Sequence, residues 1–517
     1  MGVAFVLAIL ASALTFDPKL YINGDNVDYM FLARDFRGGD LWPSNKYPPL
    51  FPALLAPIQL IFGLSLIPQK VLVGLFYAGS VWFLSRLVTR RWPEARGALL
   101  LWVAITLVPV VEYSHYVMSE VPYLFFLLGA LDAADRILRS PAGPESVAGA
   151  LRDRRLWVLA LWLAASFYTR TVGLAVVGAL VLLFMIAGRA RLALALCAAC
   201  AVLMLPWAVR SALTPGGNPY FEQWRRVNPY YPEYGYLTPS WMWKRICENG
   251  KVYFLEEIPV TVAPIFYRST YSGHGVRDAY YPWGVSLLVL APLVAGAVRG
   301  WLRRDVVAVA VTTLLLGSCL WPPIWASTRF LVPMVPLLYL LWYAGIEAGT
   351  EALARRHPSA RTILSVLLVL WTILGVKNLA LYAVETREYP AEWKNYFAAL
   401  EWSRDHLPAD AVVIDRKPNF VEFVAGRESR MFPRQADPDL MLDAFMERGA
   451  THVILASLPY DDIFRYLEPT LKARSTEFEP VQVWNAPPTY VLRFRGESWR
   501  AARNRDRGTG GQPAEVP

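Results

Sequence analysis

The chain has 517 residues, of which 55% are apolar and only 18% charged, and its mean hydropathy is +0.31. Soluble domains carry about 25% charged residues, so a string of soluble domains is excluded. A disordered chain, poor in apolar residues, is excluded as well. The net charge of +9 would suit a nucleic-acid partner, but the arginines fall in short loops between apolar runs.

Crossing a bilayer takes about 20 apolar residues. Candidate runs lie near 1–16, 68–86, 97–114, 117–135, 157–168, 171–187, 192–209, 282–298, 306–321, 328–346 and 362–383, giving about 11 transmembrane helices. Arginine marks cytoplasmic loops. Arg86, Arg90, Arg91 and Arg96 share one loop; Arg136, Arg139, Arg152, Arg154 and Arg155 share another. Arg189, Arg191, Arg299, Arg303, Arg304, Arg355, Arg356 and Arg361 continue the alternation. All of these loops fall on one side if the N-terminus is cytoplasmic, and the composition, rich in Ala, Arg and Leu, points to a bacterial inner membrane. Residues 50–67 resemble a further span but contain Pro52, Pro57 and Gly63, so an interfacial or re-entrant helix is expected in the first external loop, 17–67. The long external loop 210–280 is rich in Trp and Tyr, as residues at a membrane interface are. Cys197 and Cys200 sit in an Ala/Leu run and read as packing, not as a redox motif.

The membrane part is expected to cover 1–383. Residues 384–500 change character: helix-like 392–407 precedes AVVI, helix-like 437–449 precedes HVILA, and VQVW and YVLRFR follow. This alternation predicts a small extracytoplasmic α/β domain. The tail 501–517 is polar and reads as disordered.

Chemistry concentrates in the outer loops. Asp25 and Asp28 are three apart, so a helix starting there shows both on one side. They suit a general base or a cation site, or simply a helix N-cap followed by a solvated acid. Glu120 opens an apolar span behind Ser119; it reads either as a functional acid or as part of a helix cap. His115 alone reads as interfacial packing. Arg170 and Arg329 oppose the positive-inside trend, so each calls for an anion. The anion is Asp25, Asp28 or Glu120, or else a lipid phosphate gripped by the guanidinium fork.

The motifs GDNVDY, KYPPLFPALLAP, MSEVPY, YTRTVG and TRFLVPMVP, in this order, resemble the GT-C glycosyltransferases, most closely the protein O-mannosyltransferase and aminoarabinose (lipid A) transferase branch. One departure is Asn26, where the branch often shows a second acid. The resemblance implies an inverting transferase that moves a sugar from a polyprenyl-phosphate donor to a lipid, glycan or protein acceptor at the outer face. It implies Asp25 as the catalytic base. Glu120 and Asp28 complete the acidic set, and Lys46, Tyr47, Arg170 and Arg329 form the phosphate seat. Like-charge repulsion from Asp28 and Glu120 is expected to raise the pKa of Asp25. A divalent cation, Mg²⁺ or Mn²⁺, would fall to Asp25 and Glu120. The rival reading is a polytopic lipid or solute transporter or flippase. Transporters carry midplane polar sites and matching halves, whereas here the ionisable residues cluster at outer span ends.

Overall fold

The protein is described by a computed structural model covering residues 2–23, 25–95, 99, 107–140, 145–214, 218–265, 280–357, 359–496 and 499. The described chain separates into two compact units, the first running to Glu385 and the second starting at Thr386.

The first unit is helical. Helices Gly2–Leu14, Leu66–Arg91, Glu120–Arg139, Arg154–Thr169, Gly173–Ile186, Ala190–Leu213, Trp283–Leu302, Val306–Cys319, Val335–Ala354 and Ala360–Glu385 cover the apolar runs. Half of the run 97–114 lies outside the described residues, and its end forms the short helix Val108–Tyr113. Among the described residues four helical stretches are both long and apolar enough to cross a bilayer: Leu66–Arg91, Ala190–Leu213, Trp283–Leu302 and Ser365–Glu385. The expectation of eleven rests on runs that miss this standard for visible reasons. Gly173–Ile186 and Val306–Cys319 have only 14 residues each, and Glu120–Arg139 carries Asp132, Asp135, Arg136 and Arg139 at its far end. Leu50–Phe62 is a helix of 13 residues ending at Gly63. At 1.5 Å per residue it reaches about 20 Å, short of the hydrocarbon core.

The long helices turn many apolar side chains outward, Leu75, Val202, Leu288 and Val369 among them, as helices in lipid require. Inward, small residues let backbones approach. A Cβ on Gly296 would strike the Leu341 carbonyl, and one on Gly345 the Pro292 carbonyl, so helices Trp283–Leu302 and Val335–Ala354 meet backbone to backbone. The arginine-rich end is tied by ion pairs. Asp132 takes Arg90 at 2.6 Å, Arg86 at 3.6 Å and Arg136; Asp135 takes Arg90 at 2.8 Å, Arg139 at 3.1 Å and Arg91 at 3.3 Å. Arg91 also reaches Asp305 at 2.9 Å. Cys197 and Cys200 are free thiols.

The second unit has a five-stranded sheet in the order β2-β1-β3-β5-β4, with β1 Val412–Asp415, β2 Glu428–Met431, β3 His452–Ala456, β4 Phe478–Trp484 and β5 Thr489–Phe494. β1 pairs in parallel with β2 and β3; β5 pairs antiparallel with β3 and β4. Helices Ala391–His406, Pro418–Ala425 and Pro438–Glu447 alternate with the first strands. Their apolar faces supply a core of Trp393, Tyr396, Phe420, Leu442 and Phe445. The tail 501–517 lies outside the described residues.

Candidate active site

Four helix ends converge on one group of charges. Asp25 is the N-cap of helix Asn26–Arg37, but its side chain makes no capping bond. Asn26 fixes this corner instead, donating from Nδ2 to the Tyr21 carbonyl at 2.7 Å. The Asp25 carboxylate is therefore free to turn inward, where Oδ2 accepts from Arg329 Nη2 at 2.8 Å. Glu120 starts helix Glu120–Arg139 and is fully buried. Its Oε1 accepts from Arg170 Nη1 at 2.6 Å and from Arg329 Nε at 2.5 Å. Its Oε2 is buried without a hydrogen-bond partner among the described residues. Ser119, just before, does not cap the helix with its side chain. The Ser119 hydroxyl receives Arg170 Nη1 at 3.0 Å and lies 2.9 Å from the Tyr29 hydroxyl.

Arg170 closes helix Arg154–Thr169, and Arg329 sits in the single turn Thr328–Leu331. The positive-inside exceptions thus find carboxylates: Arg329 holds Asp25 and Glu120, and Arg170 holds Glu120. Both arginines keep unused donors. Among the described residues the bonds of Arg170 run through Nη1 and those of Arg329 through Nε and Nη2. Lys46 completes the cationic side. Its ammonium donates to the Tyr47 hydroxyl at 2.9 Å and lies 5.9 Å from the centre of the Tyr220 ring.

The electrostatics of Asp25 overturn the expected upward shift. Burial pushes its carboxyl up, but Arg329 and Lys46 outweigh this and the Tyr47 hydroxyl donates to it, so the group is held well below the usual carboxylate range. The like-charge argument failed because it counted only acids. Burial, with Asp25 and Asp28 beside it, pushes the Tyr47 hydroxyl far up, so it stays a proton donor at neutral pH. Asp28 acts beside Tyr47.

The metal expectation fits these residues poorly. A divalent ion shared by Asp25 and Glu120 would have to occupy the position of the Arg329 guanidinium, with Arg170 on the same Glu120 oxygen. Among the described residues no three His, Cys, Asp or Glu side chains gather as a metal would require.

Several neighbours were not foreseen. Tyr220 comes from the long loop, on helix Pro219–Arg225, and is close enough for Arg170, Asp25 and Arg329 to act on its hydroxyl. Glu257, 2% exposed, ends a π-helical turn, Lys251–Glu257. It accepts from Thr328 Oγ1 at 2.5 Å and from the Tyr280 hydroxyl at 3.0 Å, which fixes the residue next to Arg329. Glu112 is buried and accepts from the Tyr116 hydroxyl at 3.0 Å. The one available signal was an acid inside an aromatic-rich stretch. His115 packs: Nδ1 lies 2.9 Å from the Tyr382 hydroxyl and Nε2 2.9 Å from the Ser12 carbonyl.

No protein-family model matches the chain, and no curated protein matches it. Solved structures do. The chain is similar to ArnT from Cupriavidus metallidurans bound to undecaprenyl phosphate, at 14% identity and a TM-score of 0.58, covering 95% of this chain and 97% of that one. The apo structure of the same protein gives 14% identity and a TM-score of 0.55 over the same shares. The arabinofuranosyltransferase AftD from Mycobacteria matches at 12% identity and a TM-score of 0.46, over 95% of this chain and 39% of that one. The fold therefore resembles that of ArnT.

Proposed function

We propose that this chain is a membrane-embedded inverting glycosyltransferase that takes a sugar from a polyprenyl-phosphate donor and passes it to an acceptor on the extracytoplasmic face. The observation that carries this reading is the meeting of Lys46, Arg170 and Arg329 with Asp25 and Glu120, in a fold like that of a protein solved with undecaprenyl phosphate. Arg170 and Arg329 offer the donor phosphate unused N–H groups, and Lys46 a point charge.

The chemistry follows from the charges. An acceptor hydroxyl or amine attacks the anomeric carbon from the face opposite the phosphate. The bond from that carbon to the phosphate oxygen breaks, and the lipid phosphate leaves as an anion stabilised by Lys46 and Arg170. The acceptor's proton passes to the Asp25 carboxylate, which needs no partner acid because the leaving group is already a stable anion. Glu120, buried and doubly bonded, holds the two arginines in place.

Asp25→Asn tests this in proteoliposomes carrying a labelled undecaprenyl-phosphate sugar. The variant is expected to lose transfer by at least about a hundredfold while still binding undecaprenyl phosphate. Turnover at the wild-type rate would remove Asp25 as the base. Comparing envelope glycans with and without the gene by mass spectrometry identifies the sugar and the acceptor.

A further inference from the structure

A base that is paired with a guanidinium is a poor base. Asp25 is in that condition, held by Arg329 at 2.8 Å. Arg329 is at the same time half-engaged with Glu120: its Nε bonds Oε1 at 2.5 Å, while the neighbouring Oε2 is buried and unpartnered among the described residues. Arginine and carboxylate prefer two parallel bonds, Nε and Nη2 to the two oxygens. That arrangement is one step away. In it Nη2 leaves Asp25 Oδ2 and closes on Glu120 Oε2.

We propose that Arg329 is a two-position clamp. In the donor-free position it bridges Asp25 and Glu120; when the donor phosphate enters, it closes as a fork on Glu120 and releases Asp25 to act as the base. This rests on the lipid-phosphate reading of the site and adds to it an order of events, with donor binding as the step that switches the base on.

Three observations fix which bond yields. Glu120 is fully buried and anchored by Arg170 as well, so it stays. Asp25 is the more open partner, its side chain 27% exposed, so it can turn away. Asp25 also keeps the Tyr47 hydroxyl and the Lys46 charge when Arg329 departs, so its release does not strand it. In the second position Oε2 gains its partner, and the incoming phosphate takes up the positive charge that Asp25 gives up. A buried acceptor without a donor is costly, so the first position is maintained by Asp25 alone. Asp25 and the lipid phosphate then compete for one guanidinium.

Equilibrium binding of undecaprenyl phosphate to the full chain in lipid nanodiscs tests the clamp. Asp25→Asn removes the competitor, so the lipid is expected to bind about tenfold tighter than to the wild type. Arg329→Lys keeps the charge but has no planar fork to close on the two oxygens of Glu120. In that background the gain from Asp25→Asn is expected to fall below about twofold. Lipid binding to Asp25→Asn that is unchanged or weaker overturns the clamp, even with transfer by the wild type intact. A gain that persists in the Arg329→Lys background overturns it as well. If neither the wild type nor any variant binds the lipid, the clamp fails together with the lipid-phosphate reading.

Discussion

Glu120 is the position at which the site can be tested as a physical object, independent of any substrate. It is fully buried, and two guanidiniums share its Oε1 at 2.5 and 2.6 Å. Replacing it with Ala leaves Arg170 and Arg329 with only Asp25 between them, in a site where their side chains are 16% and 25% exposed. Breaking a buried ion pair by removing one partner costs roughly 3–5 kcal/mol, most of it the uncompensated charge left behind. Arg170→Ala should cost less, on the order of 2 kcal/mol, because Arg329 still holds Glu120. In the double variant the two changes remove each other's stranded charge, so the loss should fall short of the sum by about 1–3 kcal/mol. Thermal unfolding of the purified full chain in detergent, followed by tryptophan fluorescence, reads these differences. The ordering expected is Glu120→Ala lowest, the double variant close to it or above it, and Arg170→Ala nearest the wild type. A Glu120→Ala midpoint within one degree of the wild type, or strictly additive losses, would refute the claim that this carboxylate carries the arrangement.

Arg170→Ala is expected to raise the donor KM by about tenfold or more, and by more than Asp25→Asn does, since it removes phosphate donors and not the base; steady-state transfer at varied donor concentration measures it. In the second unit, burial pushes the Asp415 carboxyl up to about 6, against donation from the Tyr396 hydroxyl and the Lys417 N–H. The folded unit therefore binds this proton more readily than the unfolded chain. Its stability should rise as pH falls from about 6 toward 4, by up to about 3 kcal/mol, and be lost as pH rises through that range. Hydrogen exchange of the β1 amides in the full chain, corrected for intrinsic rates, should show this slope and lose it in Asp415→Asn. Gly345→Ala places a methyl against the Pro292 carbonyl and should lower stability by roughly 1–3 kcal/mol or more, read as a drop in the unfolding midpoint; an unchanged midpoint would show that the two helices can part without cost.

Much of the site was legible because charge obeys a simple rule at a membrane. Arg170 and Arg329 run against the positive-inside pattern, which calls for an anion at each and leaves Asp25, Asp28, Glu120 or a lipid phosphate as candidates. The sequence does not say which atom meets which. Arg329 and Asp25 lie 304 residues apart, and a reading of local neighbours set Asp25 among acids, so the direction of its pKa shift came out reversed. Tyr220 and Glu257 were missed because nothing in a loop's composition tells which aromatic or acid turns inward. In the second unit, β3 was visible as an apolar run, whereas β2, with the sequence ESRM, buries only Ser429 and so shows no apolar pattern. Helix Pro418–Ala425 has only eight residues, rich in Phe and Val, and lacks the length that makes helical periodicity visible.

The two charged ends of the helical unit show why ion pairs alone do not mark a site. At the arginine-rich end both oxygens of Asp132 and of Asp135 are engaged. Asp132 Oδ1 takes Arg86 and Arg90, and its Oδ2 takes Arg136; Asp135 Oδ1 takes Arg91, and its Oδ2 takes Arg90 and Arg139. Neither of these two carboxylates has an oxygen without a partner, and the network ties its helices together. At the Asp25 end the accounts stay open on both signs. Glu120 keeps a buried oxygen without a partner, and the two arginines keep N–H groups without one, among the described residues. A protein that needed these charges only for packing would gain by closing the Arg329 fork on Glu120, which needs no new residue. That it remains divided between two acids is the physical reason to look for a further anion, the role given to the lipid phosphate in the function proposed above.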